Sequence, residues 1–104
     1  MTEPRRYRVA ASIVVCDPDG RILLIREADL RVRGKIILPG GHVENGETVV
    51  ECVVRELSEE TELAVMPSGL IGVYRQGDGI NFVFCGHSNV TMTKPEKTPS
   101  TANG

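Results

Sequence analysis

Residues 38–63 read LPGGHVENGETVVECVVRELSEETEL, a glycine-rich loop that runs directly into a helix. The spacing predicts a helix over 48–61. Thr48 followed three residues on by Glu51 is a capping box, and Val50, Val53, Val54 and Leu57 recur at i, i+3, i+4 and i+7 as an apolar stripe for packing on a sheet. Off that stripe lie Glu56, Glu59 and Glu60, again at i, i+3 and i+4. Carboxylates at that spacing are neighbours, and each pair costs roughly 0.2–0.5 kcal/mol on an exposed helix. A positive partner offsets the cost. A hard divalent cation bound through oxygen fits three carboxylates, and Arg55 neutralises part of the cluster when no cation is bound. Gly40 and Gly41, without side chains, let backbone come close to an anionic group.

Upstream, residues 7–16 and 21–26 are β-branched, apolar runs joined by Asp17-Pro18-Asp19-Gly20. Proline presets φ and glycine takes the position needing φ > 0, so an antiparallel hairpin is expected. Residues 27–35, EADLRVRGK, read as a polar surface loop with Arg31, Arg33 and Lys35 available to anions. Ile36, Ile37 and Leu38 form a short strand halted by Pro39. Downstream, Pro67-Ser68-Gly69 breaks the chain, and strands over 70–74 and 80–85 are linked through Gln76-Gly77-Asp78-Gly79. Residues 1–87 are expected to form one domain, and residues 88–104, rich in Ser, Thr, Pro, Lys and Asn, a disordered low-complexity tail.

Composition narrows the function classes. A chain of 104 residues is one small domain, and its charged and hydrophobic fractions are those of a soluble globular protein. A net charge of −2 argues against a basic nucleic-acid-binding surface. No run is long enough to span a bilayer and no signal segment opens the chain, so a cytoplasmic protein with no membrane partner is expected. Cys16, Cys52 and Cys85 are odd in number and lie in apolar stretches, which reads as buried thiols in a reducing compartment.

Gly41, five residues, Glu47, seven residues, then Arg55-Glu56-Leu57-Ser58-Glu59-Glu60 resembles the Nudix box of the MutT-like Nudix hydrolases. The lead-in GKIILPGGHVENGE and the order of elements over 7–87 are similar to that family as well. The resemblance implies an α/β fold, a mixed β-sheet sandwiched with helices, whose loop-helix-loop carries the metal. It also implies hydrolysis of the diphosphate linkage in a nucleoside diphosphate derivative (an oxidised guanine nucleotide, ADP-ribose or similar) with Mg²⁺ or Mn²⁺. By the same resemblance Glu56 and Glu60 are primary metal ligands, and Glu59 is a further ligand or holds metal-bound water. The carbonyl of Gly40 or Gly41 completes the site, and Arg55 pairs with Glu47 to orient the helix face. Glu51 and Glu62 read as surface residues, and His87 as incidental. His42 reads as a structural or solvent-facing residue, with phosphate contact the alternative. Tyr74 and Phe82 read as core at strand spacing, with base stacking the alternative, and Arg26, Arg31 and Arg33 as solubilising or anion-steering.

Three departures from the family pattern stand out. Glu62 occupies a position where the pattern has glycine, and Ile36 one where an aromatic is common. The second main helix, which closes the family's sandwich, has no counterpart in HSNVTMTKPEKTPSTANG. An uncovered sheet face would then favour a homo-oligomer. A catalytically weak nucleotide-binding module, or a truncated remnant, is the alternative to an enzyme.

Overall fold

The computed structural model describes residues 3–26 and 35–92. Arg31 and Arg33, and the expected tail from residue 93 onward, lie outside the described residues.

Strand β1 (Arg8–Cys16) is the axis of the fold. Its alternation puts Ala11, Ile13 and Val15, all fully buried, on one face. Helix α1 (Val49–Thr61) packs on that face. On one edge β1 pairs in parallel with β6 (Gly79–His87), which sets Phe82 beside Ala11 and Phe84 beside Ile13. A parallel pair needs a crossover, and the loop and α1 between the two strands supply it. Strand β5 (Gly69–Gln76) joins β6 as an antiparallel hairpin through Gly77 and Asp78, longer at both strands than the sequence predicts. With β4 (Gly40–His42) on β1's other edge, the sheet runs β4-β1-β6-β5 and is mixed. The fold is α/β, as expected, with α1 the single helix among the described residues.

The predicted hairpin of 7–16 with 21–26 is only begun. Cys16 bridges Ile22 and the Leu23 N–H donates to the Val15 carbonyl at 3.0 Å. The chain then leaves β1, and β2 (Ile25–Arg26) pairs instead with β3 (Ile36–Ile37) in a separate two-stranded sheet. The reason lies further along the same edge of β1, where β4 claims Ala10, Ala11 and Ser12.

The capping box forms in both directions: Glu51 N–H donates to Thr48 Oγ1 at 3.0 Å, and Thr48 N–H to Glu51 Oε1 at 2.9 Å. The packing stripe differs from the predicted one by a phase. Val50 is 37% exposed, and the seam is Val49, Cys52, Val53 and Leu57, with Val54 alongside. Cys52 acts as a small hydrophobe and turns the helix by one position. Its thiol is fully buried, and burial pushes its pKa up to about 11. Cys16 and Cys85 are only half-buried, and all three cysteines are free.

At its C-terminus α1 ends on Glu62 in the left-handed conformation, φ 65° and ψ 12°, with the Glu62 N–H donating to the Ser58 carbonyl at 2.8 Å. It is the single non-glycine residue with positive φ among the described residues. A side chain there costs on the order of 1 kcal/mol. Glu62→Gly is therefore expected to raise unfolding free energy by about 0.5–1 kcal/mol, less than the full penalty because glycine also loosens the unfolded chain. Urea denaturation checks this, and a loss of stability would contradict the cap reading.

Residues 88–92 are held against the first turn. The Ser88 N–H donates to the Cys16 carbonyl at 2.8 Å and the Met92 N–H to Asp17 Oδ2 at 2.9 Å. Burial alone would raise the Asp17 carboxyl, but backbone N–H groups of Met92, Arg21 and Asp19 outweigh it and hold the pKa below the usual range. At the far edge, Leu70, Ile71, Val73 and Tyr74 of β5 are each about half exposed. Among the described residues no helix is long and apolar enough to cross a membrane.

Candidate functional site

Two adjacent glycines and the last turns of α1 build the site. The space where Gly41 would carry a Cβ is filled by the Glu56 carboxylate, with Glu56 Cδ 2.5 Å from that position. Glu60 Oε1 accepts the Gly40 N–H at 3.1 Å. Two of the three expected ligands thus lie against the two residues expected to meet phosphate.

Arg55 organises the rest. Its Nε and Nη2 donate to the two oxygens of Glu47 at 2.6 and 3.1 Å, so the pairing that the family resemblance implies is here bidentate. Nη2 also donates to the His42 carbonyl at 3.3 Å, tying α1 to β4. Nη1 is shared between Glu56 Oε2 at 3.1 Å and Glu59 Oε1 at 3.2 Å. One guanidinium therefore offsets the repulsion of both carboxylates. Glu44, which the sequence did not single out, stands 3.7 Å from Nη1 and donates its N–H to Glu47 Oε1 at 3.0 Å. The Asn45-Gly46 turn between Glu44 and Glu47 is the signal that could have placed it. Glu51 serves the helix cap and Glu62 the helix end, so neither enters the site. His42 contributes its carbonyl here, while its exposed side chain faces away from α1's side of β4. Phe82 packs against the core, and Tyr74 is half exposed.

The Arg55 hydrogen bonds, helped by the Glu44 N–H, hold the Glu47 carboxyl below its ordinary pKa, and Glu47 in turn raises that of Arg55. A carboxyl lowered in the folded state adds stability that is full above its unfolded pKa and is lost as pH falls through the folded value. Glu47→Gln is expected to flatten the acid limb of the stability–pH curve below about pH 4.5. Melting temperatures across that range check it, and parallel curves for the two proteins would contradict it.

Among the described residues no three acidic, histidine or cysteine side chains converge on one point. Glu56, Glu59 and Glu60 are instead laid out along Arg55 and β4. The donors are all oxygen and Gly41 leaves room for a carboxylate against backbone, a set that suits a hard divalent cation. The Gly41 carbonyl has a weak thiol donor, Cys52 Sγ at 3.5 Å.

A NUDIX domain model matches residues 6–99. The chain is 47% identical over 64 residues to an ADP-ribose pyrophosphatase of Methanocaldococcus jannaschii, covering 62% of this chain and 38% of that protein. It is 36% identical over 90 residues to the human 8-oxo-dGDP phosphatase NUDT18, covering 86% of this chain and 28% of that protein. The chain thus spans less than half the length of these curated relatives. Among solved structures, a MutT NUDIX hydrolase from Burkholderia pseudomallei superposes with a TM-score of 0.71 at 31% identity, over 80% of this chain and 68% of that one.

Proposed function

Because this chain belongs to the NUDIX domain family, we propose that it is a divalent-metal-dependent hydrolase of the diphosphate linkage in nucleoside diphosphate derivatives. The observation that carries the reading is the Glu56 carboxylate seated on Gly41 next to Glu60 on Gly40. Acidic oxygens lie there beside backbone that no side chain shields. Glu56, Glu59 and Glu60, with the Gly41 carbonyl, would hold Mg²⁺ or Mn²⁺. When bound, such an ion offsets charge on the diphosphate oxygens and lowers the pKa of attacking water. Gly41, without a side chain, lets the Glu56 carboxylate lie against backbone, and Gly40 and Gly41 are the residues proposed to meet the diphosphate. Arg55, anchored on Glu47, keeps the carboxylates from repelling one another and fixes the angle of α1 against β4.

The relatives' names point to two substrate classes, ADP-ribose and oxidised guanine nucleotides. Incubation with ADP-ribose and with 8-oxo-dGDP in ¹⁸O-labelled water should yield nucleoside monophosphate with Mg²⁺ present and none with EDTA. Hydrolysis that persists in EDTA would defeat the metal role. The second reading, a nucleotide-binding module of weak activity, is favoured by Glu56 and Glu59 sharing one nitrogen of Arg55 and by the strained cap at Glu62. Binding of nucleotide without turnover under every metal condition would select it.

The same reading places the protein in a reducing cytoplasm, consistent with three free thiols, with a small nucleotide rather than nucleic acid or membrane as partner. We further propose a homo-oligomer, in which a second copy covers Leu70 and Val73 on the α1 side of β5. Sedimentation should report a species larger than one chain, and a monomer at high concentration would contradict it.

A further inference from the structure

The sheet ends in two edges, and the fold treats them differently. At the β4 edge the outward groups are taken up by α1: the Gly40 N–H donates to Glu60 Oε1 at 3.1 Å, and the His42 carbonyl accepts from Arg55 Nη2 at 3.3 Å. At the β5 edge the backbone is left open. Gln76 faces Gly79 across the two-residue turn of Gly77 and Asp78, so Gln76, Tyr74 and Gly72 turn their N–H and C=O groups to β6. Val73 and Arg75 turn theirs outward, and among the described residues those groups have no hydrogen-bond partner.

An open edge is a template for another strand, and proteins blunt it with charge, proline or a short strand. Strand β5 has eight residues, no proline and one charge. That charge is drawn back onto its own chain. The Arg75 guanidinium carbon lies 5.5 Å from the centre of the Tyr7 ring, and Arg75 Nε donates to the Gly77 carbonyl at 3.1 Å. Val73 and Tyr74, one on each face, are about half exposed. The bulge between Leu70 and Gly72 confines the regular edge to residues 72–76.

This short edge is complementary to itself in one register. In antiparallel pairing with a second copy, the outward groups of one strand meet those of the other. A two-fold axis at Arg75 would set two guanidinium groups opposite each other, which is destabilising. An axis at Val73 would set Arg75 opposite Ile71, inside the bulge, where the ladder is broken. An axis at Tyr74 meets neither obstacle. Val73 then lies opposite Arg75 of the second copy, twice over by symmetry, and the two Tyr74 side chains form a cross-strand aromatic pair. Gly72, lacking a side chain, lets the Tyr74 ring lie along its own strand, with Cζ 2.8 Å from where a Gly72 Cβ would be.

We propose that two copies join β5 to β5 in antiparallel register about Tyr74, so that their two sheets become one. The proposal rests on the homo-oligomer reading and names its interface. Sedimentation of the full chain should report two chains per particle. Tyr74→Lys, which sets two like charges opposite each other, should weaken association at least about tenfold. Tyr74→Glu alone should do the same, and an equimolar mixture of the Lys and Glu variants should restore the two-chain species. Val73→Pro, which removes an outward donor without touching the pairing with β6, should also give single chains. The Tyr74 variants keep the test valid if proline disturbs the strand. Two-chain particles that persist in all three variants, or Lys and Glu variants that do not re-associate when mixed, would overturn this interface and leave the homo-oligomer reading standing. A native protein that sediments as single chains at high concentration, as it would if the edge took a foreign extended peptide instead, would overturn both.

Discussion

Gly40→Ala is expected to destabilise the protein by about 3 kcal/mol or more. Gly40 has φ 156°, a conformation that L side chains rarely adopt. A Cβ there would press on the Ala11 carbonyl oxygen and come within 2.8 Å of Ser12 Cα. Both obstacles are backbone of β1, the most buried strand, and neither can swing aside. The strain of the forced φ adds to the overlap, each worth about 1–3 kcal/mol. Relief would come only by parting β4 from β1, where Ser12 pairs with Gly40. Chemical denaturation reads the effect directly, and a variant as stable as the native protein would mean that β4 is not pinned at this point.

Gly41→Ala, one residue on, is expected to act on function instead. The Cβ would meet the Glu56 carboxylate, the far end of a flexible side chain. That carboxylate can move, so stability should change little. Its displacement takes an expected ligand away from β4 and from Arg55 Nη1. A misplacement of about 1 Å in a reacting constellation can cost on the order of 10²-fold in rate. The expected outcome is a fall of about that size in Mg²⁺-dependent turnover, with the melting temperature kept. Unchanged turnover would show that the Glu56 position seen against Gly41 is not the one that matters. Adjacent glycines in one loop thus yield opposite readouts, because one faces backbone and the other a side chain.

What the sequence made legible follows the same logic. Helix α1 was readable to within a residue because its cap and its 3.6-residue period are repeated local signals. Its phase was less so: counting valines and leucine put Val50 inside, whereas Cys52 claims the seam. Strand β4 was invisible, since Gly40-Gly41-His42 has neither β-branched residues nor alternation and pairs only because β1 offers an edge. That single pairing also explains why the first hairpin stops after one bridge. At the site, helical spacing grouped Glu56, Glu59 and Glu60 beside Arg55, and the family resemblance added Glu47 as the partner of Arg55. Spacing could not reveal that Arg55 fans out over Glu47, Glu56, Glu59 and Glu44 at once, because Glu44 enters through a turn rather than through helical period.

The cluster of carboxylates at the end of α1 is the centre of the functional reading, and exchanging a single oxygen of each tests it. Hydrolysis of a panel including 8-oxo-dGDP and ADP-ribose should be followed with Mg²⁺ for the native chain and for the Glu56→Gln and Glu60→Gln variants, after matching melting curves. The native chain is predicted to turn over at least one substrate, and both variants to be slower by 10² or more, as when a group that holds charge in the transition state is removed. A native protein no faster than its variants on every substrate would contradict the assignment of this site to catalysis.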